Sequence, residues 1–271
     1  MTICIATLCE KKYVVVATDR MLTLMLPSIE YEADYPKTVE ITANCIATTA
    51  GSAIAYTPIF YEVRGELLKQ ASNDIARIAE LTRNAYGNVR NSKLTEEILS
   101  TYGLNLQAFY QLNPSINPNL MAMILQRMQQ YNYSLWIMVA GVDEAGGHIY
   151  RIENPSTKNC FDAIGYHAIG SGDIHAITTF IANNYEVKNT TLQRGLALTY
   201  EAKKRSEKAQ GVGEQTDMYV VSKEKTWHLP DEAIMKLNDI YNKRVEQEKA
   251  VFSDMEKMIS SLDVKEKYLK A

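Results

Sequence analysis

Long hydrophobic runs are missing from this 271-residue chain. Its longest apolar stretches, such as Leu135 to Val142, fall far short of the roughly 20 residues that a membrane-spanning helix requires. No basic segment precedes the first apolar run, and Glu10-Lys11-Lys12 interrupts it, so no signal peptide is expected and the cytoplasm is the expected location. Charge of one sign is also scarce. The 29 basic and 32 acidic residues nearly cancel, to a net charge of -3, which gives no reason to expect nucleic acid or an anionic membrane as a partner. Cysteine is sparse and unpaired: Cys4, Cys9, Cys45 and Cys160 form no CxxC motif, and Cys4 and Cys45 lie inside strand-like runs as small buried hydrophobes. The four histidines are scattered. His167 and His175 flank a glycine turn, but no carboxylate-rich helix accompanies them, so neither a zinc site nor any other cofactor is expected. Internal repeats and low-complexity tracts are absent as well.

What the chain does have is an ordered alternation of strands and helices. Residues 2–9 (TICIATLC) and 13–18 (YVVVAT) read as a hairpin, and so do 38–42 (TVEIT) and 45–50 (CIATTA). A helix is expected from about Ser52 to Gln70 and a second from Asp74 through Thr82. Residues 87–131 look like an excursion, with helical pieces flanking the turn-rich LNPSINPN. Strands are then expected at 134–142, 147–152 and 163–169, helices at 173–185 and 190–208, and a last strand pair at 217–222 and 225–229. The expected organisation is one domain over residues 1–229, carrying the insertion at about 87–131, followed by a charged helical extension at 230–271. Runs of strands alternating with runs of helices point to α+β, and two antiparallel sheets each covered by a helix pair would make a four-layer sandwich.

The apolar run begins at residue 2, and that residue is a threonine. With Met1 removed, Thr2 would carry a hydroxyl and a free α-amine, whose ordinary pKa of about 7.7–8.0 lies close to working pH. A hydroxyl is a poor nucleophile until something takes its proton, and here the amine is built in at the right distance. Charges stand at the edges of neighbouring strands: Asp19-Arg20 closes the second, and Lys37 precedes the third. A lysine held by an aspartate near Thr2 would lower the pKa values of its hydroxyl and amine through proximity of charge.

Taken in order, ATDR (17–20), PKTVEI (36–41), CIATTAG (45–51), IMVAGVDEAGGHIYRIE (137–153), AIGSG (168–172) and TDMYVVS (216–222), behind Thr2, resemble the proteasome β-subunit and HslV family of threonine-type N-terminal nucleophile hydrolases. The resemblance covers roughly residues 1–85 and 132–229. It implies the αββα sandwich of that family and a set of roles: Thr2 as nucleophile, Asp19 as the strand-end acid, Lys37 as the lysine it holds, and Ser171 as the partner of the N-terminal amine. It also places the backbone N–H of an oxyanion hole at a turn at Thr48, where the family usually has glycine. Around RSEKAQGVGEQTD (205–217) the family's second-shell acid has no clean match, which leaves Ser206 or Glu207. No longer propeptide is expected before Thr2, so that only Met1 would be removed, as in HslV and unlike subunits that cut off a leader.

The implied activity is hydrolysis of a peptide or protein amide bond through an acyl-enzyme. The implied partners are further copies in a homo-oligomeric ring and a separate ATPase or activator chain. Two other functions fit the same residues: hydrolysis of a small-molecule amide, and a non-catalytic ring-forming platform. In the insertion, Met121, Met123, Leu125 and Met128 make an apolar face expected to pack against a neighbouring helix or to meet another subunit. The Lys/Glu-rich tail reads as a solvated helix or an outward arm.

Overall fold

The computed structural model describes residues 2–25, 28–32, 37–112 and 117–260. The chain divides into two units, Met1–His228 and Leu229–Ala271. The first is a mixed α+β unit with antiparallel sheets. Sheet one has the order β10-β1-β2-β11-β12, with β1 (Ile3–Cys9), β2 (Tyr13–Asp19), β10 (Tyr166–Gly170), β11 (Thr216–Val221) and β12 (Thr226–His228). Sheet two has the order β5-β6-β7-β8-β9, with β5 (Thr38–Thr42), β6 (Cys45–Gly51), β7 (Leu135–Asp143), β8 (Gly146–Glu153) and β9 (Thr157–Cys160). A separate hairpin pairs β3 (Met21–Met25) with β4 (Ser28–Glu32).

Three apolar clusters explain why these strands sit where they do. Cys4, Ala6, Leu8, Val14 and Val16 of sheet one pack with Ile46, Ala50, Met138, Ala140 and Ile149 of sheet two. The other face of β1, Ile3 and Ile5, packs on Phe180 of helix α5 (Asp173–Ala182) and on Leu198 and Ala202 of α6 (Leu192–Ser206). The far face of sheet two, with Cys45, Ala47, Ile137, Val139 and Ile152, packs on α1 (Thr57–Lys69) and α2 (Ile75–Leu94). Strand β1 is therefore covered on both faces and every position of it is buried, which is why ICIATLC reads as a continuous apolar run and does not alternate. Each of its large side chains contributes about 2 kcal/mol by burial. Strand β1 is a rigid mount, and Thr2 stands at its first end.

Several elements differ from the sequence-based expectation. Helix α1 begins at Thr57, with Pro58 in its first turn, so residues 52–56 form a turn where a helix was expected. Helix α2 runs to Leu94, because Ala85, Tyr86 and Val89 continue its stripe against sheet two. The excursion therefore starts only beyond it, with α3 (Leu106–Leu112) and α4 (Pro118–Gln130). There Met121, Ile124 and Met128 join a small core with Leu94, Leu99 and Phe109, while Met123 and Leu125 are exposed, which splits the expected methionine face. Helix α5 stops at Ala182, since Asn184 has left-handed φ of 48° and turns the chain. The β3–β4 hairpin and the short polar strand β9 were not expected.

His148 ties sheet two together. Its Nδ1 lies 2.6 Å from Asp162 Oδ2 and its Nε2 3.1 Å from Asp143 Oδ1, while Asp143 Oδ2 also caps α2 by accepting from Ile75 N at 2.9 Å. The bond to Asp162 and the two negative charges raise the His148 pKa above its ordinary 6.5. The protonated imidazole is thus favoured more in the folded chain than in the unfolded one. Its stabilisation is complete below pH 6.5 and is lost as pH rises through the higher folded value. Urea unfolding is expected to show that His148→Gln costs about 1 kcal/mol at pH 6 and that this cost shrinks by pH 9.

The described residues of the second unit form one 30-residue helix, α7 (Asp231–Ser260), in which none is buried. Pairs such as Lys236–Glu232 and Arg244–Glu248 line it at i, i+4 spacing; such exposed pairs support a helix by a few tenths of a kcal/mol each. No helix among the described residues is long and apolar enough to cross a membrane.

Candidate active site

The first end of β1, the last of β2 and the bend before β5 converge on three side chains. Thr2, Asp19 and Lys37 are all buried. The Thr2 hydroxyl donates to Asp19 Oδ1 at 2.5 Å, and the Lys37 ammonium donates both to Thr2 Oγ1 and, at 2.7 Å, to the same Asp19 oxygen. Asp19 is satisfied all round. Its Oδ1 also accepts from Ile3 N at 2.9 Å, and its Oδ2 from Met21 N at 3.1 Å and Gly213 N at 3.0 Å. Five donors on one acceptor-only carboxylate leave it no freedom to turn. Arg20, next in sequence, points elsewhere: its guanidinium forms a fork with Asp217, at 2.9 and 2.6 Å, and helps hold that carboxyl below the usual range against the opposing effect of burial.

Ser171 stands on the other side of Thr2. Its hydroxyl donates to Gln210 O at 3.0 Å, which leaves its lone pairs to face the Thr2 nitrogen at 3.4 Å. Gly170 makes this approach possible. It has φ of +111°, it pairs with Ile3, and a β-carbon there would lie 2.2 Å from Thr2 O. The expected cluster Thr2, Asp19, Lys37 and Ser171 is therefore brought together, although 169 residues separate Thr2 from Ser171.

Thr48 is not at a turn. It lies within β6, opposite Thr38 on one side and Met138 on the other, with its side chain buried. Strand β6 continues to Gly51, which has φ of +119°, and its last residues, Thr49, Ala50 and Gly51, border the cleft. The turn that the resemblance implied at Thr48 therefore comes three residues later, at the end of the strand expected over 45–50, where glycine permits a left-handed backbone. Ser206 and Glu207 do not touch Thr2. The Ser206 hydroxyl lies 2.9 Å from Gly172 O and 2.8 Å from Ala202 O and shares its one hydrogen between them, which brings α6 against the turn behind Ser171. Glu207 pairs with Lys203 at 2.5 Å and Lys204 at 2.6 Å.

These groups open onto a cleft of about 830 Å³, mainly apolar, bordered by Thr2, Lys37, Gly51, Trp136, Arg151 and Ser171. The turn at 52–56, which replaces the expected start of α1, forms part of its wall, with Ile54 exposed. Two other reactive side chains nearby are held in their uncharged forms. Burial pushes the Cys4 thiol up to about 12, and burial with the Arg151 charge lowers His167 to about 4. What the arrangement offers chemically is one polarised hydroxyl beside one nitrogen, at the edge of an apolar cleft. Compared with known proteins, the chain matches no family model and no curated protein sequence.

Proposed function

We propose that the protein is a threonine-type N-terminal nucleophile hydrolase that cleaves peptide amide bonds, and that its first unit is a four-layer αββα sandwich of that class. One observation carries the reading: a buried lysine ammonium donates at once to the Thr2 hydroxyl and to Asp19, on the wall of a cleft. After cleavage of the Met1–Thr2 bond, Thr2 Oγ1 attacks the substrate carbonyl. The freed α-amine, beside Ser171, takes the hydroxyl proton and passes it to the leaving amine, and water then releases the acyl group from Thr2. Lys37 lowers the cost of negative charge on Oγ1 throughout.

For the oxyanion, Gly51 is the fitting donor. The N–H of Thr49 points to the β5 edge, where it donates to Lys37 O at 3.2 Å. Strand groups alternate, so the N–H of Gly51 is directed to that same edge, beside Lys37, and the N–H of Thr48 to β7.

A ring-forming platform has no use for a buried Lys37–Asp19 pair, since burying an ion pair is a poor source of stability. A homo-oligomeric ring fed by a separate ATPase or activator belongs to the proposal, as does a cytoplasmic setting. Incubation with an N-terminal-threonine-directed β-lactone, followed by intact and peptide mass measurement, tests it. The expected result is a chain lacking Met1 that carries one acyl adduct on Thr2. A chain that keeps Met1 and takes up no adduct would falsify the reading, and turnover of small amides but not of peptides would move the substrate class.

A further inference from the structure

Lys203 is a second buried lysine, and the chemistry above makes no use of it. It lies in α6 on the same face as Thr199, Ala202 and Ser206 and is 0% exposed. Its ammonium donates to Gly213 O at 2.9 Å, Glu214 O at 2.6 Å and Glu207 Oε1 at 2.5 Å. Three acceptors fill its three hydrogens. Burying a lysine with a half-compensating carboxylate is costly, and burial does lower its pKa. Something must be gained by it.

The gain lies on the other side of the same loop. Gly213, whose carbonyl Lys203 grips, donates its N–H to Asp19 Oδ2 at 3.0 Å. Two residues on, Gln215 N donates to Glu32 Oε1 at 2.9 Å, and a β-carbon on Gly213 would lie 2.4 Å from that oxygen, so the segment has a single path. Gln210, just upstream, supplies the carbonyl that fixes the Ser171 hydroxyl. One strip of chain, 210–215, thus touches both the carboxylate that holds Lys37 and the serine beside the Thr2 nitrogen. Lys203 is the charged post to which that strip is tied.

We infer that Lys203 is a positioning residue of the active centre: its ammonium sets the 210–215 segment so that the Gly213 N–H locks Asp19 in the orientation that holds Lys37 against the Thr2 hydroxyl. The inference rests on the proposed function for its catalytic half only; the ordering of the segment stands on geometry. Lys203→Met keeps length and apolar bulk and removes the charge. Lys203→Arg keeps the charge, and Glu207→Gln keeps the ammonium and removes its ion-pair partner.

Amide hydrogen exchange on the full chain, with β-lactone inactivation kinetics, tests it. In Lys203→Met the Gly213 amide is expected to exchange about tenfold faster while β1 and β2 keep their protection. The limiting rate of Thr2 acylation is expected to fall about tenfold with the inhibitor's half-saturation concentration nearly unchanged, and Lys203→Arg to restore part of it. Glu207→Gln is expected to give the same pattern at about threefold, and it decides the matter if Lys203→Met does not fold. Unchanged Gly213 exchange in a folded variant overturns the inference, as does a fall in binding with the acylation rate intact. If the parent chain is not acylated at all while Gly213 responds as expected, the nucleophile reading fails and the tether stands.

Discussion

Thr2→Ala is expected to abolish turnover of short peptides and acylation by the β-lactone, a loss of about 10⁴-fold or more, because the variant has no attacking oxygen. The fold is expected to survive. What the structure loses is one hydroxyl that donates to Asp19 and accepts from Lys37, while Asp19 keeps four other donors. That is a cost of about 1 kcal/mol, or a fall in Tm of about 2–4 °C for a domain of this size. Thr2→Ser makes the sharper comparison. It keeps the oxygen and removes the γ-methyl, which packs toward Gly170, where a β-carbon would lie 2.9 Å from it. A β-branched side chain is stiff at χ1, so serine would point its hydroxyl away from Lys37 part of the time, and the acylation rate is expected to fall about tenfold. Rates measured with the position-2 residue verified by mass, alongside circular dichroism melts, check both. Turnover by Thr2→Ala at the parent rate would remove Thr2 from the chemistry.

The sequence made much of this site legible, for a definite reason. Thr2, Asp19, Lys37 and Ser171 all lie at the ends of strands, and apolar runs such as YVVVAT and YHAIG mark strand ends well. The buried cysteines were legible too, since Cys4 and Cys45 sit within such runs. Four other features escaped. The turn implied at Thr48 was misplaced because it came from the resemblance, whereas the apolar run CIATTA itself carries the strand through both threonines. The β3–β4 hairpin and the polar strand β9 lack the long apolar pattern that marks the strands of the two main sheets. Lys203 was hidden in AKKRSEK, a stretch in which five of seven residues are charged and nothing local marks one of them as buried. The one signal was its place four residues after Thr199 and three before Ser206, on the buried side of α6.

Asp19→Asn carries the largest expected effect on stability, and the reason lies in what it leaves behind. The amide keeps one acceptor oxygen and gains two donors where five donors now converge, so at least one side of the group faces like against like. Lys37, 7% exposed, then loses its counter-charge. Breaking a buried ion pair by removing one partner costs about 3–5 kcal/mol. The variant is accordingly expected to unfold at lower urea with little change in the slope, and to lose acylation of Thr2 by about 10³-fold or more, since a displaced or neutral Lys37 no longer polarises the hydroxyl. The double variant Asp19→Asn/Lys37→Met separates the two losses. With no buried charge left to strand, its stability is expected to return to within about 1 kcal/mol of the parent, and the interaction energy of the cycle to be at least about 2 kcal/mol. Activity is not expected to return with it. Recovery of stability without recovery of acylation would mean that the pair is kept for polarising the Thr2 hydroxyl. An additive cycle, or a single variant that loses less than about 1 kcal/mol, would mean that Lys37 does not depend on Asp19 for its place.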